Sequence, residues 1–114
     1  MTIPKKFDLM GTTIEVEYNA DMMFDGDAMG QANYRRNKIF IAPNTSTFKM
    51  NKEQLEQVFL HELVHWVFHQ LKHDDLQKDE ELVDQFAELL HQTLKTMQGD
   101  FLAPVQTQDG EAIQ

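Results

Sequence analysis

The sequence predicts an α+β domain in which a small sheet of three to four strands, antiparallel or mixed, precedes two long helices. Three observations carry this expectation. Residues 12–18 alternate apolar and charged side chains, residues 52–71 hold a stretch apolar on nearly every side of a helix, and residues 79–97 repeat apolar side chains at helical spacing. With 114 residues and 41% hydrophobic content, the chain suits one domain with a modest core. We place that domain at residues 1–98, with 99–114 as a flexible tail.

Residues 5–9 and 12–18 read as two strands around Met10-Gly11. In the second, Ile14, Val16 and Tyr18 share one face and Glu15 and Glu17 the other, the pattern of a half-solvated antiparallel strand. Residues 19–30 carry Asp21, Asp25 and Asp27 but no EF-hand spacing, so a solvated loop is expected. Residues 31–34 and 38–42 then form a hairpin through Arg35-Arg36-Asn37. Its second arm, Lys38-Ile39-Phe40-Ile41-Ala42, is apolar on both faces and stops at Pro43, which has no N–H to offer a ladder.

After a polar connection at 44–47, Asn51 followed by Gln54 has the spacing of a capping box. It opens the central helix at 52–71. A short polar link at 72–78 leads to the last helix, 79–97. There Leu82, Val83, Phe86, Ala87, Leu89, Leu90 and Leu94 cover a little under half the circumference, and Gly99 stops it. The rest, with Pro104 and Gly110, has no periodicity.

Composition excludes several function classes. The chain has no cysteine, which removes disulfides, thiolate metal sites and hydrolases whose zinc uses a Cys ligand. A formal charge of −9 repels phosphate backbones, so no nucleic-acid partner is expected. No apolar run approaches the roughly 20 residues of a bilayer span. The first eight residues lack a signal-peptide core, and a cytoplasmic location is expected.

The chemistry lies in the central helix. Within Val58–Phe68 the only residues that are not apolar spell His61-Glu62-x-x-His65. Burying two imidazoles and a carboxylate is costly unless each finds a partner, and a metal ion satisfies all three. Residues four apart sit one above the other on a helix, so His61 and His65 can point at one ion. Glu62, about 100° around the helix, is placed to take a proton from an activated water instead of ligating. Because neutral imidazoles are needed, metal is expected to leave on acidification through about pH 6.

A hydrolytic zinc site has three protein ligands and one open position. His69 and His73 continue the four-residue spacing but lie roughly 6 and 12 Å beyond His65 along a straight helix. Gln70 and Leu71 provide no glycine to bend the chain back, so both are expected to be solvent or helix-end residues. The last helix offers Glu80, which falls at the border of its apolar stripe and can reach inward. Glu81, about 100° around, lies on the polar face with Glu88 and Gln92. Glu80 is the favoured third ligand and Glu81 the alternative, beside the bland reading of a negative first helical turn. Asp84, one turn from Glu80, is placed to accept the second ring N–H of a ligating histidine.

At these residues the chain resembles the gluzincin metallopeptidases, which pair His-Glu-x-x-His with a downstream Glu-x-x-x-Asp, here Glu80-Glu81-Leu82-Val83-Asp84. Size, the strand-rich front and the run at 89–95 resemble the small HExxH proteins of phages and bacteria and the minigluzincins. The likeness spans about residues 5–97. It implies a zincin-like fold, with 31–34 or 38–42 bordering a cleft, zinc held by His61, His65 and Glu80, Glu62 as general base, and a peptide or protein substrate. The second subdomain of larger gluzincins has no counterpart. Tyr18 and Tyr34 are candidate oxyanion donors, beside their plainer role in packing the sheet.

Two other functions stay open. In one, the zinc closes a non-catalytic binding or regulatory module, with Asp74 or Asp75 as fourth ligand. In the other, the tail, with Asp100, Asp109 and Glu111, blocks the site as in a zymogen.

Overall fold

The computed structural model of the protein describes residues 1–19, 29–43 and 49–97. The expected acidic loop falls almost wholly outside them, as do the polar connection and the tail with Asp100, Asp109 and Glu111. Among the described residues the architecture is α+β, a four-stranded mixed sheet with three helices. In chain order these are β1 (Lys6–Leu9), β2 (Thr12–Tyr18), β3 (Gly30–Asn33), β4 (Lys38–Ile41), α1 (Lys52–Gln70), α2 (Asp74–Gln77) and α3 (Glu80–Thr96).

The sheet order is β1-β2-β4-β3. β1 and β2 pair antiparallel across Met10 and Gly11, both at positive φ (49° and 82°), as the two central residues of a tight hairpin with matched twist require. β2 is antiparallel to β1 but parallel to β4, with Val16 opposite Ile39; the purely antiparallel reading of β2 is corrected to a mixed one. Composition explains the order. Ile39, Phe40 and Ile41 are buried, so β4 needs cover on both faces and takes an inner place. Gly30-Gln31-Ala32-Asn33 buries little and takes the edge.

α1 lies over this sheet and is tied to it at two heights. Trp66 Nε1 donates to the Lys38 carbonyl at 3.1 Å, and Gln70 Nε2 donates to the Leu9 carbonyl at 2.9 Å and to Thr12 Oγ1 at 3.1 Å. The core between them holds Ile14, Ile39, Ile41, Phe59, Leu60, Val64 and Trp66, and Val83 and Ala87 close it from α3. The capping box forms as the spacing predicts, with Gln54 N donating to Asn51 Oδ1 and Asn51 N to Gln54 Oε1, both at 2.9 Å.

The end of α1 is less legible. Lys72 adopts φ 61°, its N–H reaches the His69 carbonyl and that of His73 the Phe68 carbonyl. These two bonds make a Schellman stop, in which the left-handed residue is usually glycine. The predicted polar link is then partly helical, as α2. On α3, Leu89 is 65% exposed and Phe86 about half exposed. The stripe predicted from periodicity is therefore wider than the strip that α1 covers. No described helix is long and apolar enough to cross a membrane.

Candidate metal centre

α1 and α3 bring three predicted ligands together. His61 Nε2 and His65 Nε2 are 3.2 Å apart, Glu80 Oε2 is 3.2 Å from the first and Glu80 Oε1 is 3.0 Å from the second. Ligands on a tetrahedral zinc with bonds of about 2.0–2.1 Å stand roughly 3.3–3.4 Å apart. The observed spacing falls within a few tenths of that, and two imidazoles with one carboxylate form a zinc-type donor set. His65 is buried, and its Nδ1, the ring nitrogen turned away from the cluster, has no hydrogen-bond partner among the described residues, so this ring lacks the outer contact that ligating histidines usually make.

The other ring nitrogen of His61 has the partner read from the sequence: Nδ1 lies 3.4 Å from Asp84 Oδ1. That contact fixes the ring so that Nε2 faces the cluster. Glu80 is the first residue of α3, directly after the N-cap Asp79. Its side chain is 69% exposed, so the cluster opens to solvent at this carboxylate. Glu81 is exposed and outside the group. Asp74 and Asp75 are outside it too, and Asp75 stands 3.8 Å from His73.

Glu62 is 8% exposed and directly follows a candidate ligand. Burial pushes its carboxyl up to about 7, the Glu80 carboxylate adds to the rise, and His61 and the Ala32 backbone N–H oppose it. That N–H comes from β3, an edge strand whose outward donors have no neighbouring strand to serve. The resemblance implied 31–34 or 38–42 at the border of a cleft, but the contact of the Ala32 N–H with Glu62 was not foreseen. Its signal was Gly30-x-Ala32, two small residues on one face of a strand. A Cβ at Gly30 would lie 2.6 Å from Val58 Cγ1 and 3.0 Å from Glu62 Oε2. Gly30→Ala is therefore expected to cost about 1–3 kcal/mol by overpacking. Thermal unfolding checks this, and an unchanged midpoint would show that β3 has room.

Tyr34 completes the surroundings. Its ring stacks on His69 at 3.8 Å between centroids with 6° between planes, and meets Trp66 edge-on at 4.9 Å. Burial raises its hydroxyl far above the usual value, and the charges of Glu62, Glu80 and Asp74 raise it further. The phenol is thus held protonated, within electrostatic reach of the carboxylates of the site. Tyr18 is not so placed: at the end of β2 it is about half exposed, and its hydroxyl is raised by burial alone. His69, expected as a solvent or helix-end residue, lies in the last turn of α1 and is half-buried against Tyr34, because the edge of the sheet reaches that turn. His73 is exposed as expected.

No protein family, curated protein or solved structure matches this chain. Its function therefore has to be argued from the side chains themselves.

Proposed function

We propose that this chain is a small zinc-dependent hydrolase of gluzincin type, acting on peptide bonds. The observation that carries the reading is the convergence of His61, His65 and Glu80 beside the buried Glu62 carboxylate. The group has three members among the described residues, whereas a structural zinc site is closed by four. That difference favours hydrolysis over a non-catalytic module.

Zinc held there would polarise a peptide carbonyl and bring the pKa of a water towards 7. The chain's own residues do the rest. Glu62, held by the Ala32 N–H and little exposed, accepts the proton of the attacking water and hands it to the leaving amine. The Tyr34 hydroxyl donates towards the oxygen on which negative charge develops. Asp84 keeps the His61 ring turned to the cluster.

The test is metal analysis of the purified protein together with digestion of a peptide library. One zinc per chain and cleavage suppressed by a chelator are expected. Zinc without cleavage would favour the binding-module reading, and absence of zinc at neutral pH would overturn both.

A further inference from the structure

Away from the cluster, a second ionisable pair joins the same two helices. His91 Nε2 on α3 lies 2.9 Å from Glu56 Oε1 on α1, with side-chain exposures of 5% and 4%. The other carboxylate oxygen of Glu56 faces the Met1 amino nitrogen at 3.8 Å. Glu56 precedes His61, the nearer candidate ligand on α1, by five residues, roughly 7.5 Å at about 1.5 Å per residue, so the pair forms a separate level of the interface. A buried ionic pair contributes little net stability compared with well-packed apolar side chains. Its retention between two helices therefore calls for another reason.

The contacts across this interface supply one. They run Glu53–Lys95, Glu56–His91, His61–Asp84 and His65–Glu80, a single antiparallel register. Between them α3 contributes Val83 and Ala87, with Leu90 and Leu94 beside them. Aliphatic contacts are non-directional, and helices can ratchet past one another by one turn, about 5.4 Å, while still packing ridge into groove. The Glu53–Lys95 tie is solvent-exposed and a weak constraint. A slide of one turn would carry Glu80 away from the two imidazoles. It would also part the buried Glu56 carboxyl from His91 and leave it only the Met1 amino group at 3.8 Å, so the Glu56–His91 contact opposes the slide more than the exposed Glu53–Lys95 tie does.

We propose that Glu56 and His91 are positioning residues that fix the sliding register of α3 on α1, and so hold Glu80 level with His61 and His65. The consequence for metal rests on the metal-site reading above, but the register itself does not. The chain has no native cysteine, so spin labels at Lys52→Cys and Gln85→Cys, both exposed and offset by roughly 13 Å along the helix axes, report a slide of one helix past the other directly. In the otherwise wild-type chain a single narrow distance is expected. In Glu56→Met/His91→Leu, helix content is expected to hold, with a thermal midpoint lowered by the loss of the Met1 amino group's partner. A second distance about 5 Å away should appear, and zinc affinity by chelator competition should fall about 10-fold or more. His91→Gln, whose amide can still donate to Glu56, should restore both readouts.

An unchanged distance in the apolar pair overturns the proposal, whether or not zinc binding weakens. A pair variant that fails to fold also overturns it, because the contact then supplies stability instead of register. If the wild-type chain takes up no zinc, a second distance in the pair variant still upholds the register role while the metal reading falls.

Discussion

Glu80→Ala is expected to lower zinc affinity by about three orders of magnitude, while Glu81→Ala leaves it unchanged. The size follows from treating the roughly 10–16 kcal/mol of apparent binding energy in a zinc site as shared among its ligands, so that one is worth about 4 kcal/mol. The contrast follows from geometry. Glu80 presents an oxygen to each histidine at 3.0–3.2 Å, whereas Glu81 points about 100° away and is exposed. Asp84→Asn should fall between them, about 10- to 100-fold, because it acts only through the His61 ring. Chelator competition measures all three. Thermal unfolding with and without zinc gives an independent reading, since a ligand that binds only the folded chain raises its stability with concentration. The zinc-dependent rise should vanish in Glu80→Ala and survive in Glu81→Ala. The opposite pattern would move the ligand role to Glu81.

That Glu80, and not Glu81, stands beside the two imidazoles shows what a sequence can carry. Helical phase is a property of the chain alone, so the spacing of His61, His65, Glu80 and Asp84 against their apolar neighbours placed each on its face without knowledge of the partner helix. The fold class was legible for the same reason. Alternation marked β2, an apolar run marked the inner strand β4, and Asn51 with Gln54 marked the start of α1. What sequence could not supply was anything decided between elements. The parallel pairing of β2 with β4 depends on where the β3–β4 hairpin inserts, not on either strand alone. The Schellman stop falls on Lys72, where tertiary context overrides the preference for glycine. His69 and Tyr34 are far apart in sequence, and their stacking depends on how closely the edge strand approaches α1. The Glu56–His91 pair was invisible for a related reason: α1 is apolar on so many sides that its buried face could not be told from periodicity.

Glu62→Gln is expected to separate three properties that this one carboxylate combines. Hydrolysis should fall by about two to four orders of magnitude, the usual worth of a positioned general base. Bound zinc should be retained, because the three convergent ligands do not include Glu62. The third property is stability of the metal-free protein, and its sign depends on pH. The carboxyl is raised from 4.5 to about 7, chiefly by burial. Below pH 4.5 it is protonated in both folded and unfolded chains and costs nothing. Between 4.5 and 7 the unfolded chain ionises first, so folding stability declines as pH rises, and above 7 the penalty is constant. At 1.36 kcal/mol per unit that penalty is about 3 kcal/mol. Glutamine has nearly the same shape and no charge to desolvate. The metal-free variant should therefore match wild type at pH 4 and exceed it by about 3 kcal/mol at pH 8. Zinc would cancel this difference at its source, because a nearby dication favours the ionised carboxylate and removes the penalty from the wild type alone. Denaturant unfolding at the two pH values, with and without zinc, tests the whole scheme. Loss of zinc from the variant would make Glu62 a ligand, and equal stability at pH 8 would show that its carboxylate is better solvated than its burial implies.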